Sequence, residues 1–435
     1  MSLSRFSPRN VVRAASVLPR RVGRRLTEKR LLTYLAILGP GIIAANAGND
    51  ASGIATYSSV GAAYGYSLMW VFIPMVVSLI VVQEMCVRMG VVTGQGLSDL
   101  IREQFGVRWT ALVMLALLIA NTGVIISEFV GIAQASEILG IPRLISVPLV
   151  AGLIWWLVVK GSQRRVERVF LAMSLVFLCY VVSAILAKPN WEEVFVGFSQ
   201  PAVPLETGVL FTIMALIGTT ITPFMQVYVQ SSVVEKQLDE NDLPLARVDA
   251  IAGTIFACVI AAFIVICTAA TLHRQGIMHI DSATTAAESL VPIAGVYAKY
   301  LFAFGLFGAA MLAMGVLPLA TAYSLSEAMG FEKGLSRSFR EAPIFLSIFT
   351  ALILVGGIIA LIPGIPQIRL LILTQTINGL LLPVLLVAIV VLSSKSEVLG
   401  KHRNNFGFNI LAWTITGVVS VLSLMLIGKT IADIF

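Results

Sequence analysis

Charged residues are scarce in this chain: they make up 12% of its 435 residues, whereas 58% are hydrophobic. The mean hydropathy is +0.93. No soluble core needs so much apolar surface, so the composition predicts an integral membrane protein in the lipid bilayer. The four cysteines, Cys86, Cys179, Cys258 and Cys267, lie in apolar runs without paired spacing. This excludes a disulfide framework and a cysteine zinc site.

Side chains that could transfer protons or catalyse a reaction are also sparse. The three histidines, His273, His279 and His402, lie between the apolar runs, so we expect no histidine to relay protons inside the membrane. The sequence has no Walker A motif and therefore no means of using ATP on its own. No nucleophile, base and oxyanion set appears at membrane depth or in the short loops, so we expect no enzyme activity. Nothing indicates a nucleic acid, a cofactor or an obligate protein partner.

Long apolar runs are what the chain does have. Windows of about 20 apolar residues mark transmembrane helices, and the sequence contains eleven such spans. The first and the sixth are interrupted. The predicted spans are 31–64, 67–88, 109–135, 144–160, 166–187, 207–233, 247–272, 297–327, 342–362, 367–393 and 408–432.

The positive charges predict the orientation. Arg and Lys number 24 on the side of the N-terminus, counting the basic tail 1–30, and six on the other side. The positive-inside rule therefore predicts a multi-pass protein of the cell membrane with a cytoplasmic N-terminus and an extracellular C-terminus. The tail 1–30 carries nine of these charges and no apolar run of signal-peptide length. We expect it to be a solvated cytoplasmic segment or to touch anionic lipid heads.

The first interruption is the stretch 45–53, which contains Asp50. A carboxylate at mid-membrane depth costs about 2.5–3.5 kcal/mol on insertion scales. Gly48, Ser52 and Gly53 are poor helix formers and favour a break there. A broken helix in the bilayer leaves unpaired carbonyls and amides, which are tolerated where they line a cavity or hold a ligand. The stretch predicts a cation site, and a kinked helix whose Asp50 bonds a neighbouring helix is the alternative.

The second interruption is the stretch 217–223 in the sixth span, where threonines precede Pro223. Alone, it is better explained as a proline kink whose threonines bond their own helix. However, each break opens a block of five spans, and a second five-span block must lie upside down relative to the first. We therefore predict an all-α fold with inverted repeats at 31–188 and 207–393 and an additional span at 408–432. Interrupted helices at matching positions indicate the central site of a transporter.

Several short motifs resemble those of the Nramp divalent-metal transporters. The resemblance runs from about Leu31 to the end of the chain. It rests on Gly39-Pro40-Gly41, the break around Asp50, Arg88-Met89-Gly90-Val91-Val92-Thr93-Gly94, the Gly-x-Thr-x-Thr-Pro break at 218–223 and Thr374-Gln375-Thr376. It implies a LeuT-like inverted 5+5 repeat of eleven transmembrane helices, with helices 1 and 6 broken and a metal site between them.

The chain departs from that family at the implied metal ligands. Where the first helix of the family reads Asp-Pro-Gly-Asn, this chain keeps the acid as Asp50 but has Gly53 in place of the asparagine. Where the sixth helix reads Met-Pro-His-Asn, the metal-binding methionine is replaced by Thr222 and the histidine by Phe224. Thr219 falls where the family offers a backbone carbonyl.

The groups that the resemblance links to proton movement also change. The histidine is Phe224, and in the third span Glu128 is kept while the aspartate expected one turn earlier is Ile125. Glu128 is left as a possible relay or as a buried structural acid. These changes resemble the prokaryotic Nramp-related magnesium transporters, a branch of the same family.

The substitutions favour a hard, hydrated ion. A thioether prefers transition metals, whereas Mg²⁺ takes octahedral oxygens and keeps several waters. We therefore predict metal binding by Asp50, Gly53, Thr219, Thr222 and Gln375, with Thr222 giving an oxygen and Gly53 leaving room. The alternatives are that Gln375 makes a helix-to-helix hydrogen bond and that Thr222 bonds back to its own helix.

Together these features predict an alternating-access importer of partly hydrated Mg²⁺, and also of Mn²⁺, that is not coupled to protons. The membrane potential contributes about 2.3 kcal/mol per charge per 100 mV, and so suffices for a divalent ion. The first alternative is a proton-coupled Mn²⁺ or Fe²⁺ importer with altered ligands. The others are a metal-sensing membrane protein that does not transport and a sodium-coupled amino-acid carrier on the same fold.

Overall fold

The computed structural model describes residues 39–201, 207–280, 287, 296–362 and 367–432. The tail 1–30 and the start of the first predicted span lie outside these residues. Within the described ranges the chain is built from helices, with no β-strand. The α-helices, numbered along the chain, are α1 Pro40–Ala47, α2 Ala51–Tyr64, α3 Phe72–Thr93, α4 Leu97–Phe105, α5 Val107–Ile138, α6 Arg143–Lys160, α7 Gln163–Ser174, α8 Leu178–Leu186, α9 Trp191–Ser199, α10 Thr207–Thr220, α11 Pro223–Glu235, α12 Leu243–Thr271, α13 Val296–Met329, α14 Pro343–Ala360, α15 Gln367–Ser394, α16 Ser396–Leu399 and α17 Phe406–Ala432.

The second to eleventh predicted spans are present, and the described part of the first, from residue 39 onward, is helical on both sides of its break. In the described part of the chain, ten segments are long and apolar enough to cross a membrane, and they coincide with the second to eleventh predicted spans. The first span consists of the two short halves α1 and α2. The sixth is α10 followed by α11. The protein is therefore a multi-pass membrane protein, and the helix bounds fit the proposed repeats, which stay a prediction.

Both breaks have a local cause. After α1, Asp50 adopts an extended backbone (φ −67°, ψ 179°) and becomes the N-cap of α2. After α10, Thr222 is likewise extended (φ −73°, ψ 143°), and Pro223 occupies the first turn of α11. Aspartate at an N-cap and proline at the start of a helix are both favoured positions. Each interrupted span is thus two complete helices rather than one bent helix.

Close contacts between backbones set the first half-helix in place. A Cβ on Gly41 would lie 2.5 Å from Ala250 Cα, so α1 and α12 touch at this point. Asp249, on α12, accepts hydrogen bonds from the Gly39 and Gly41 amides at 3.0 and 2.6 Å. These amides are free at a helix N-terminus, and the carboxylate satisfies them. In the same way Gly218, on α10, packs on the backbone of Gln375, on α15.

Candidate metal site at the two helix breaks

The centre of the site is the buried carboxylate of Asp50, which has no solvent-exposed surface. Its Oδ1 accepts the Gly53 amide at 2.5 Å, the N-cap hydrogen bond of α2. Gln375 Nε2, on α15, donates to Oδ1 at 3.2 Å and to Oδ2 at 3.1 Å. The hydrogen bonds from Gly53 and from Gln375 hold the carboxylate between the first break and the tenth span. The structure therefore brings Asp50, Gly53 and Gln375 together.

The orientation of the Gln375 amide differs from the predicted ligand geometry. Its Oε1 accepts from Asn378 Nδ2 at 3.0 Å, so the nitrogen faces Asp50. In this orientation, Gln375 makes the helix-to-helix hydrogen bond that was the alternative to metal binding. A half-turn of the amide exchanges its donor and acceptor and presents Oε1 to the carboxylate side. Metal binding by Gln375 stays a prediction.

Oxygens converge on Gly53. A Cβ built there would lie 2.8 Å from Thr219 Oγ1, 2.9 Å from the Gly48 carbonyl and 3.2 Å from Asp50 Oδ1. The two breaks are therefore in contact at this residue, and Thr219 joins Asp50. The expectation that Gly53 leaves spare room needs a correction, because even one added carbon would crowd these oxygens. Gly53 instead allows their close approach.

The threonine hydroxyls of the second break divide into two kinds. Thr220 Oγ1 donates back to the Leu216 carbonyl at 2.8 Å and lies 3.1 Å from the Tyr57 hydroxyl. In contrast, Thr219 and Thr222 are fully buried, and within the described ranges their hydroxyls make no hydrogen bond of normal geometry. Back-bonding is therefore found at Thr220, not at Thr222. Leaving a buried polar group unpaired costs about 1–3 kcal/mol, and a cation with its waters would satisfy these two oxygens.

Glu128 acts on the same half-helix as Asp50. From α5, its carboxylate accepts the Ala51 amide at 2.9 Å, the Ser52 amide at 3.3 Å and the Ser52 hydroxyl at 3.2 Å. It thus satisfies free amides at the N-terminus of α2. This is a structural contact, and a relay role stays a prediction. Ile125, one turn earlier, is buried.

We expect Glu128→Ala to destabilise the protein, because two backbone amides of α2 would lose their acceptor inside the membrane. Each unsatisfied amide costs about 1–3 kcal/mol. Glu128→Gln keeps one acceptor oxygen and should lose less. Thermal unfolding in detergent measures both, and Thr122→Ala, which removes a hydroxyl bonded back to Leu118 on the same helix, is the control. Equal melting temperatures for wild type and Glu128→Ala would contradict the capping role.

Met225 was missed by the sequence reasoning, which noted only the loss of a thioether at Thr222. Met225 lies one turn into α11 and is fully buried. Its Sδ lies 2.8 Å from where a Cβ on Gly48 would be, so the thioether packs against the first break. The signal was its spacing: residues three apart share one face of a helix. A soft side chain therefore contacts the break after all.

Comparison with known proteins decides the family. Residues 41–429 match the family described as natural resistance-associated macrophage protein-like, or Nramp. The chain belongs to the Nramp family. This confirms the resemblance, and with it that the chain is a transporter and not an enzyme.

Two similar sequences show how much of the chain the Nramp match covers. A protein of Deinococcus radiodurans named divalent metal cation transporter MntH is 27% identical over 402 residues, covering 89% of this chain and 88% of its own length. A protein of the same name from Agrobacterium fabrum is 26% identical over 411 residues, covering 90% and 87%. The match thus extends over nearly all of both proteins.

Solved structures confirm the fold. The Eremococcus coleocola manganese transporter, in complex with an aromatic bis-isothiourea substituted compound, superposes with a TM-score of 0.76 at 17% identity, covering 99% of this chain and 92% of that one. Mhp1, a nucleobase-cation-symport-1 family transporter, superposes with a TM-score of 0.56 at 14% identity, covering 92% and 93%. The chain therefore has the predicted LeuT-like architecture of Nramp proteins.

Proposed function

We propose that this Nramp protein imports a divalent cation by alternating access, with partly hydrated Mg²⁺ as its main substrate and Mn²⁺ as a second. Its relatives are named for divalent metal cations. One observation carries the choice of ion: where the two breaks meet at Gly53, the buried Asp50 carboxylate lies beside two neutral oxygens, the Gly48 carbonyl and the Thr219 hydroxyl. That hydroxyl makes no hydrogen bond of normal geometry in the described part of the chain.

This ligand set suits Mg²⁺ because that ion takes one or two carboxylates and keeps several waters. We infer that the hydroxyls of Thr219 and Thr222 bind such waters or the ion itself. No thioether occupies position 222, so the strongest preference for a soft metal is removed there. The site is buried and needs a conformational change to open to each side, which is the basis of alternating access.

The second candidate is a proton-coupled importer of Mn²⁺ or Fe²⁺. It is favoured by Met225, whose thioether packs against Gly48, and by the likeness to a protein described as a manganese transporter. A soft sulfur at the break would favour Mn²⁺ over Mg²⁺.

Flux measurements decide between the two. Purified protein in liposomes should take up Mg²⁺, and more slowly Mn²⁺, with and without a pH gradient. Empty liposomes measure the leak. Binding without flux would identify a sensor, and flux of Mn²⁺ without Mg²⁺ would overturn the magnesium proposal.

We expect Thr222→Met to increase the Mn²⁺ to Mg²⁺ flux ratio about tenfold, equivalent to about 1.4 kcal/mol. The thioether would replace a hard oxygen by a soft ligand. Thr222→Val is the matched control, because it removes the hydroxyl without adding sulfur. The change is made at this position alone, since a side chain at Gly53 would meet oxygens at 2.8–3.2 Å. An unchanged ratio in Thr222→Met would show that Thr222 does not determine selectivity.

A further inference from the structure

A second polar site lies away from the helix breaks, on the face that the Arg and Lys distribution assigns to the cytoplasm. A cavity of about 280 Å³ opens between α3, α12 and the segment that leads into α17. Its wall includes Glu84, Arg88, Arg247, Lys401, Arg403 and Phe408. A neighbouring cavity of about 460 Å³ shares Lys401 and Arg403 and reaches Phe406.

Positive charge exceeds negative charge at this cavity. Glu84 is shared by Arg88, at 3.0 Å, and Arg247, at 2.8 Å. Lys401 meets Glu240 at 2.8 Å, but both side chains are largely exposed, at 74% and 51%. Such surface pairs are weak and give way to a better partner. Among the described residues Arg403 makes no ion pair, so three of the four cations share two carboxylates. Arg403 and the weakly paired Lys401 are therefore available to an anion.

Arg88 makes the wall rigid. It is 5% exposed, and its Nη1 donates to the His402 carbonyl at 2.6 Å and its Nη2 to Asn404 Oδ1 at 2.5 Å. The guanidinium also lies 5.3 Å from the centre of the Phe408 ring. Its Nε is buried and has no hydrogen-bond acceptor in the described part of the chain. A phosphate oxygen would match this donor, because arginine and phosphate form strong charge-assisted hydrogen bonds.

We propose that this cavity binds the phosphate headgroup of an anionic phospholipid. Exposed apolar residues indicate where the acyl chains would lie. Phe406, at the first position of α17, is 84% exposed, and Ile410 and Trp413 on the same helix are also exposed. A cationic cavity directly beside an apolar, lipid-facing helix has the chemistry of one amphipathic ligand. Basic pockets between transmembrane helices on the cytoplasmic side bind phospholipid headgroups in this way.

The bound lipid would connect three parts of the fold. Its phosphate would contact Arg403 and Lys401 before α17 and Arg247 on α12. Arg88, on α3, already holds the segment 402–404 through two hydrogen bonds. We therefore expect the lipid to stabilise the attachment of the last span to the rest of the bundle. This holds whichever ion the protein transports.

The test uses the full-length protein purified in detergent. Phosphatidylglycerol and phosphatidylcholine with identical acyl chains are titrated while the melting temperature is followed, and inorganic phosphate is titrated separately. Phosphatidylglycerol should raise the melting temperature and phosphatidylcholine should not. The double variant Lys401→Gln, Arg403→Gln should need about thirtyfold more phosphatidylglycerol, at roughly fivefold for each cation removed. Arg403→Gln alone is the second variant should the double variant be too unstable to purify.

A matched pair of substitutions separates the site from general surface charge. Arg108 and Arg337 are exposed cations elsewhere on the same predicted face, and Arg108→Gln, Arg337→Gln should leave the phosphatidylglycerol response unchanged. An equal loss in both double variants, or equal stabilisation by both lipids, would overturn the site. Stabilisation by inorganic phosphate that also displaces phosphatidylglycerol would overturn the lipid assignment and identify a free-phosphate site.

Discussion

Asp50→Ala is expected to abolish cation uptake into liposomes while the protein remains folded. Asp50 is the only ionisable side chain among the predicted ligands, and a divalent ion in a buried site needs at least one counter-charge. A loss of more than about a hundredfold, or about 2.8 kcal/mol, is expected. Flux of Mg²⁺ and Mn²⁺ measures the loss, and size-exclusion chromatography with thermal unfolding checks the fold.

Two opposing effects on the stability of Asp50→Ala partly cancel, so we expect the variant to fold. Removing an N-cap costs about 0.5–2 kcal/mol, but removing a buried carboxylate also relieves its desolvation cost. Asp50→Asn separates the two roles, because the amide oxygen can still accept the Gly53 amide while the charge is gone. We expect Asp50→Asn to be as inactive as Asp50→Ala and more stable. Near-normal flux in Asp50→Asn would remove the carboxylate from the ion site.

The positions of the two breaks were predictable because their causes are local. Asp50 and Pro223 each begin a new helix, and both residue types favour that position. The nine uninterrupted spans were predictable for the same reason, since each is a continuous apolar run. The short helix α4, Leu97–Phe105, was not predicted, because it lies in a loop between spans where apolar length gives no signal.

The supporting contacts of the site were not predictable, because they join distant parts of the chain. Glu128 accepts the Ala51 amide across 77 positions, and Asp249 accepts the Gly41 amide across 208. Neither contact leaves a spacing pattern in the sequence. The orientation of the Gln375 amide depends in turn on Asn378. The sequence motif around Gln375 predicted that this side chain lies near Asp50. Which atom of its amide faces the carboxylate depends on the packing of α15.

Cation uptake is also expected to proceed without movement of protons into the liposome. The two carboxylates at the breaks have other roles: Asp50 is the proposed ion ligand, and Glu128 accepts three hydrogen bonds from Ala51 and Ser52. Phe224 and Ile125, where the family resemblance implies titratable groups, are fully buried apolar side chains. A proton that moves with the metal needs titratable groups within hydrogen-bond reach of one another.

Voltage alone should then set the direction and extent of uptake. An interior-negative potential of 100 mV contributes about 4.6 kcal/mol for a divalent ion, enough for about a thousandfold accumulation. External acid should slow uptake by protonating Asp50, whereas a proton symporter would be driven faster. A pH-sensitive dye inside the liposomes, read together with a metal-sensitive dye, makes the measurement, and Glu128→Gln is the matched variant. Acidification that follows metal entry in the wild type and disappears in Glu128→Gln would overturn the uncoupled mechanism. A carboxylate that only caps α2 would not affect the proton flux.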